Sequence, residues 1–316
     1  MKVIDTHCDA LLKLQTEYRK NMRFGGGISG LNYLNDPELD TNLENLKKGQ
    51  VHTQFFAVFI PPQLPDNEKW QHALEQIDLF YTEVLAQENV VHIKHLNEIK
   101  ELKNDEIGAV LTLEGSDAFG NDLVKLRTLF RLGVLSLGLV WNNGNLVADG
   151  VGESRDAGLT EFGYKVIEEC NKHDVLIDVS HLNVAGFYDI IDKADRVFAS
   201  HSNARALHDH PRNLYDDQIK ALFEKGGMVN VVFMPGFIGE DNIRIDDLLG
   251  HIEHMLDLGG ENHIGIGSDF DGINTFVENL EDASKHQNLI DAVGEKFGSG
   301  TAEKISHQNF INNFCR

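Results

Sequence analysis

Eight short, largely apolar runs rich in β-branched residues recur along the chain, separated by stretches of helical periodicity. They cover residues 3–8, 51–60, 107–113, 134–141, 175–180, 196–200, 228–233 and 263–268, and each reads as a strand. Strands that are apolar along their whole length are buried on both faces, as in a parallel sheet covered by helices. Helices are predicted at 67–88, 122–132, 161–172, 215–225, 245–258 and 284–297. Phe162, Val166 and Ile167 form an apolar stripe on one of them, and Leu248, Ile252, Met255 and Leu256 form another. Eight such repeats predict an α/β fold closed into a (β/α)8 TIM barrel rather than an open sheet. No Gly-x-Gly-x-x-Gly opens the first helix, so the main sign of a dinucleotide-binding sheet is missing.

Residues 1–316 read as one barrel domain, with a glycine-rich loop after the first strand at about 18–40 and a proline-rich insertion at 61–66. Composition then limits the partners. Fifty Asp+Glu against 28 Lys+Arg leave a net charge of −22, which repels phosphate backbones and anionic lipid surfaces. Neither nucleic acid nor a membrane is an expected partner. No run approaches the roughly 18 consecutive apolar residues of a membrane helix. The opening MKVIDTHCDA enters a strand at once, without a leader pattern. Cys8, Cys170 and Cys315 are odd in number and widely spaced, which predicts no disulfide framework and a reduced, cytoplasmic protein.

A barrel of this kind carries its chemistry at the C-terminal ends of the strands. Strand 1 ends Asp5-Thr6-His7-Cys8-Asp9, strand 3 Thr112-Leu113-Glu114-Gly115 and strand 5 Asp178-Val179-Ser180-His181. Strand 6 ends Ala199-Ser200-His201-Ser202 and strand 8 Gly267-Ser268-Asp269-Phe270-Asp271. A lone His-x-Asp says little, but five candidate ligands falling together at the ends of strands 1, 3, 5 and 6 form a metal-ligand set. His7 and Asp9 are two apart on a strand and share a face, while Cys8 points the other way as a core thiol. Glu114 can offer one oxygen to each of two ions, and His181 and His201 complete the second. Three protein ligands per ion leave a position for water, and the donor types suit two Zn²⁺, with Mn²⁺ or Fe²⁺ as the other ions such a set accepts. The remaining histidines lack this setting. His251 and His254 read as a solvated helix face, and His72, His92, His95, His173, His286 and His307 as surface residues.

Through these motifs the chain resembles the membrane (renal-type) dipeptidases, in particular their soluble bacterial members. The likeness continues through Ser200-His201-Ser202-Asn203-Ala204, Pro211-Arg212-Asn213-Leu214, Gly265-Ile266-Gly267-Ser268-Asp269-Phe270-Asp271-Gly272 and Leu280-Glu281-Asp282-Ala283-Ser284-Lys285, and runs along essentially the whole chain. The resemblance implies a binuclear zinc barrel that cleaves dipeptides, often tolerating a D-residue at the C-terminal position, and a homodimeric assembly. Carried over by position, His7 and Asp9 bind one ion, His181 and His201 the other, and Glu114 bridges and acts in catalysis. Arg212 holds the substrate carboxylate, a task suited to a planar, permanently charged fork. Asp269 is the acid/base, leaving Asp271 a structural part. One position departs from the family pattern, since Trp141 stands where the family has a histidine at the end of strand 4. An indole has one N–H donor and no charge, so Trp141 is assigned to substrate binding.

The expected reaction is attack on the peptide carbonyl by a hydroxide shared between the ions, with Asp269 moving the proton. Two other readings remain open at this stage. Another binuclear amidohydrolase could act on an N-acyl amino acid or a lactam, and a non-catalytic barrel could bind metal or peptide. Single-metal deaminases open on His-x-His, whereas strand 1 here has His-x-Asp.

Overall fold

Each of the eight apolar runs forms a strand in the computed structural model, which describes residues 1–23 and 30–315, the side chains of 21–23 excepted. The strands are β1 (Val3–Cys8), β2 (Val51–Phe59), β3 (Ile107–Glu114), β4 (Val134–Gly138), β5 (Leu176–Asp178), β6 (Val197–Phe198), β7 (Val229–Val231) and β8 (Ile264–Ile266). All pair in parallel, in the order β6-β5-β4-β3-β2-β1-β8-β7. A parallel bridge between Ala199 and Val229 joins the two ends, so the sheet closes into the (β/α)8 barrel. One further strand, Val90–His92, pairs with Ile107–Ala109 at the start of β3 and has no counterpart in the sequence reading.

A helix follows every barrel strand: α1 (Ala10–Arg23), α2 (Asp66–Leu79), α3 (Leu123–Arg131), α4 (Glu161–Lys172), α5 (Val184–Ile191), α6 (Asp216–Glu224), α7 (Ile245–Asp257) and α8 (His286–Phe297). Side-chain caps start several of them. Asp122 accepts from Val124 N at 2.8 Å, Thr160 from Gly163 N at 3.0 Å and Asn183 from Gly186 N at 2.8 Å. The stripes read from periodicity face inward, with Val166, Ile167, Leu248, Ile252 and Met255 buried. Most strand ends are trimmed by a few residues, and two segments depart further from the expected boundaries. The segment 67–88 is α-helical only to Leu79 and then turns through a π-helical stretch, Phe80–Val84. The loop placed at 18–40 begins later, because α1 continues to Arg23; residues 24–29, with most of its glycines, lie outside the described residues.

The barrel interior changes character along its axis. At its N-terminal end, Ile4, Phe55, Val110, Leu176, Phe198 and Met228 form a dry floor, closed from below by Phe310 and Phe314 of the C-terminal helix. Above it lies a polar layer, in which Thr6 Oγ1 donates to Ser200 O at 2.6 Å and Asn230 Nδ2 donates to Ala199 O at 2.8 Å. The charged groups sit at the top. Between the pairings Asp5↔Gln54 and Cys8↔Phe56, β1 advances three residues while β2 advances two. This bulge turns consecutive residues Thr6 and His7 toward the interior, while Cys8 packs into the core between strands and helices.

Candidate metal centre

The bulge in β1 brings His7 against His201, their rings stacked with centroids 3.9 Å apart. His7 Nε2 lies 3.4 Å from Asp9 Oδ2, 3.8 Å from Glu114 Oε2 and 3.8 Å from Asp269 Oδ1. On the other side, His181 Nε2 is 2.9 Å from Glu114 Oε1, and His201 Nε2 is 3.7 Å from the same oxygen. The carboxylate of Glu114 is thus divided between two ligand groups, Oε2 toward His7 and Asp9, Oε1 toward His181 and His201. All five residues named from the strand ends converge here, and all are buried.

Hydrogen bonding behind the ligands decides whether a cation fits. Ser200 Oγ donates to Asp178 Oδ2, so it accepts the proton of His201 Nδ1 at 2.7 Å. His181 Nδ1 donates to Asn142 Oδ1 at 2.7 Å. Both imidazoles therefore present an unprotonated Nε2 to the site, and those two nitrogens lie 2.9 Å apart. Two lone pairs and a carboxylate oxygen facing one another repel unless a proton or a metal cation lies among them. His7 Nε2 and Asp9 Oδ1 are likewise buried without a hydrogen-bond partner among the described residues. The donor set fits a metal site.

The electrostatics point the same way. Burial alone would lower the proton affinity of His7, but Glu114, Asp9 and Asp269 outweigh it and hold its pKa up at about 10. Burial, reinforced by the charges of Arg212 and His7, pushes His181 and His201 well below the ordinary histidine range. Burial and the neighbouring charge of Asp9 push Glu114 well above the carboxylate range. Carboxylates crowded around His7, beside two imidazoles kept neutral, make an environment that a divalent cation relieves.

Asp269 lies beside this group with a φ of 67°, and His181 has the same φ. Left-handed backbone at residues other than glycine costs on the order of 1–3 kcal/mol and persists where the surroundings impose it. Burial, followed by the charge of Asp9, raises the Asp269 carboxyl against the opposing effect of His7. Gly272 completes the turn, and a methyl group on its Cα would come within 2.3 Å of Asp9 Oδ2 and 2.7 Å of Asp269 Oδ1. Gly272→Ala is therefore expected to displace both carboxylates and weaken metal binding by roughly 10- to 100-fold. Metal titration of the stripped variant measures this, and unchanged affinity would contradict it.

Arg212 is buried, with Nη2 donating to His201 O at 3.0 Å, Nε unpartnered among the described residues and the Phe237 ring 5.5 Å from Cζ. Burial lowers its pKa to about 10, although Asp269 and Glu114 pull it back up. Trp141 borders a cavity of about 330 Å³ above the ligands, its ring 5.4 Å from Phe59 and 6.0 Å from His181. Asp271 takes no place in the cluster. It accepts from Asp40 N at 2.8 Å and Thr41 N at 3.1 Å and pairs with Lys13 at 3.0 Å, tying the loop after β1 to the loop after β8.

Several contributors have no role in the sequence reading: Asn142, Asp178 and Ser200 behind the two histidines, and Asp5 with Ser268 behind Asp269. Asp5 Oδ1 accepts from Ser268 N at 2.9 Å and Oδ2 from Ser268 Oγ at 2.6 Å. Asp178 holds Ser200 in the same way, through Ser200 N at 2.9 Å and its hydroxyl. The sequence carries a signal for them, since each serine immediately precedes a site residue and each aspartate begins the polar end of an adjacent strand. Three histidines read as solvent-facing are buried instead. His251 bonds Ala204 N and Ile238 O, His286 lies 3.4 Å from Asp5 Oδ2 between Phe233 and Phe270, and His72 packs under α1. His92 is half-buried, edge-on to Phe80 and Tyr81.

Comparison with known proteins adds the family. A family model described as Membrane dipeptidase (Peptidase family M19) matches residues 1–314. An uncharacterized dipeptidase of Schizosaccharomyces pombe is 33% identical over 326 residues, covering 96% of this chain and 77% of its own. A solved structure described as dipeptidase AC, a metallopeptidase of family M19, superposes with a TM-score of 0.88 at 29% identity, covering 100% of this chain and 99% of its own. A metallopeptidase from Rhodobacter sphaeroides, solved with a phosphinate mimic of the dipeptide L-Ala-D-Ala, also gives 0.88, at 28% identity and 99% and 98% coverage.

Proposed function

The chain belongs to the membrane dipeptidase family, peptidase family M19, and from that premise we propose that it cleaves dipeptides with two Zn²⁺ ions. It is a metallo-dipeptidase, a hydrolase acting on peptide bonds. In the proposed site His7 and Asp9 hold one ion, His181 and His201 the other, and Glu114 is shared. The division of the Glu114 oxygens between the two groups carries this reading. Bound there, divalent ions supply an acidified water and a Lewis acid for the scissile carbonyl.

The chain's own residues do the rest. Asp269 Oδ1 accepts the proton of the attacking water and returns one to the leaving amine. Arg212, buried against His201 O and outside the cavity lining among the described residues, is assigned to the substrate's C-terminal carboxylate, which would restrict the enzyme to short peptides. Trp141 bounds the space left for the substrate. A D-residue at the second position is supported by the L-Ala-D-Ala mimic bound to the Rhodobacter sphaeroides protein. Cys8, Cys170 and Cys315 are buried free thiols, which supports a reducing, cytoplasmic setting, and no helix among the described residues is long and apolar enough to cross a membrane.

Turnover of L,L-, L,D- and D,D-dipeptides by protein of measured metal content tests the proposal. Two zinc ions per chain are expected, with L,L- and L,D-cleavage abolished by chelation and restored by zinc. Full turnover after chelation would refute metal-dependent cleavage, and dipeptide binding without turnover would identify a non-catalytic barrel.

A further inference from the structure

We infer that this enzyme selects dipeptides with uncharged, apolar side chains and that Trp141 sets the preference, an inference that rests on the dipeptidase reading above. The cavity of about 330 Å³ over the ligand cluster lies near the lower end of the roughly 300–1,000 Å³ found for small-molecule sites. Its ionisable lining among the described residues is Asp9, Glu114, His181 and Asp269, all committed to metal or proton. The other polar lining, Asn142, Asn274 and Thr275, is neutral, and Asn142 is already engaged by His181. Among the described residues, no lining group of opposite charge remains to pair with a charged substrate side chain, and the neutral amides and hydroxyl offset its loss of hydration only in part.

What remains is apolar: Trp141 and Phe59 meet edge to face, and Phe237, Met234 and Ile273 contribute further wall. Trp141 is only half-buried, and its indole N–H makes no hydrogen bond among the described residues. Its ring is therefore available to a ligand as surface rather than tied into the protein as a donor. It directly precedes Asn142, the partner of His181, so the residue that bounds the cavity is anchored to the ligand cluster itself.

The test compares kcat and KM of zinc-replete wild type, Trp141→Ala and Trp141→Phe on Ala-Ala, Leu-Ala, Glu-Ala and Lys-Ala, with zinc counted in each protein. Wild type is expected to prefer Leu-Ala over Glu-Ala and Lys-Ala by at least about tenfold. Trp141→Ala should lower the Leu-Ala to Ala-Ala ratio of kcat/KM by about tenfold, mainly through KM, and Trp141→Phe should restore most of it. Equal use of Leu-Ala and Glu-Ala or Lys-Ala by wild type would overturn the inference. So would an equal fall in kcat on all substrates in both variants, which would make the indole N–H a transition-state donor. A wild type that keeps two zinc ions but cleaves none of the four refutes the dipeptidase reading itself.

Discussion

Glu114→Gln is expected to lose at least one metal ion and to cut kcat by on the order of 10³-fold, the equivalent of several kcal/mol of lost charge stabilisation. Glu114 is buried, and burial with the adjacent Asp9 drives its carboxyl well above the usual range. A carboxylate so placed would be sustained as an anion by cations held at its two oxygens. Glutamine keeps the length but replaces one oxygen with an amide nitrogen, and that nitrogen can donate to the lone pair of His181 Nε2, 2.9 Å from Oε1. The metal-free variant should therefore melt no lower than metal-free wild type, while the stabilisation by added zinc shrinks. A ligand at ~1,000 times its Kd stabilises by about 4 kcal/mol, so the loss is readable in a melting curve. Metal counts by elemental analysis and paired melts with and without zinc decide the matter. Two ions and full activity in this variant would remove Glu114 from the bridging role.

The sequence made the barrel legible because apolar strands alternating with amphipathic helices have few other ways to bury themselves. The same reasoning placed α4 at Glu161–Lys172 to the residue, since Thr160 caps its start and Val166, Ile167 and Cys170 fix its inner face. Strand ends were less sharp. The run 134–141 is strand only to Gly138, because its last residues leave the sheet to place Trp141 and Asn142 over the cavity. The bulge in β1 could not be read, since Asp-Thr-His-Cys-Asp alternates in a regular strand as well, and only the pairing with β2 shows the extra residue. The five ligand positions stood out because histidine and carboxylate at a barrel's strand ends have few structural uses. His251 and His286 did not, because a buried histidine satisfied by backbone or by one aspartate has no local signature. Asn142, Asp178 and Ser200 act through a partner distant in sequence, so their roles appear only once the strands are adjacent.

Asp269→Asn is expected to keep both metal ions and lose roughly 10²- to 10⁴-fold in kcat, the range of general acid–base contributions. Asparagine is the replacement that isolates the proton. It is isosteric, and it tolerates the left-handed backbone that φ of 67° requires, so the turn between Ser268 and Gly272 should persist. Ser268 remains held by Asp5 through its N–H and hydroxyl, which fixes the position from which residue 269 projects. Asp269 Oδ1 also lies 3.8 Å from His7 Nε2, close enough that a ligand role must be distinguished from a proton-transfer role. The metal count does this directly. A variant with two ions and little turnover places Asp269 in proton transfer, whereas loss of one ion makes it a ligand and leaves the base unassigned. Set beside Glu114→Gln, the result divides one cluster of carboxylates by function: one residue whose change removes the ions, and one whose change leaves them in place without a proton acceptor.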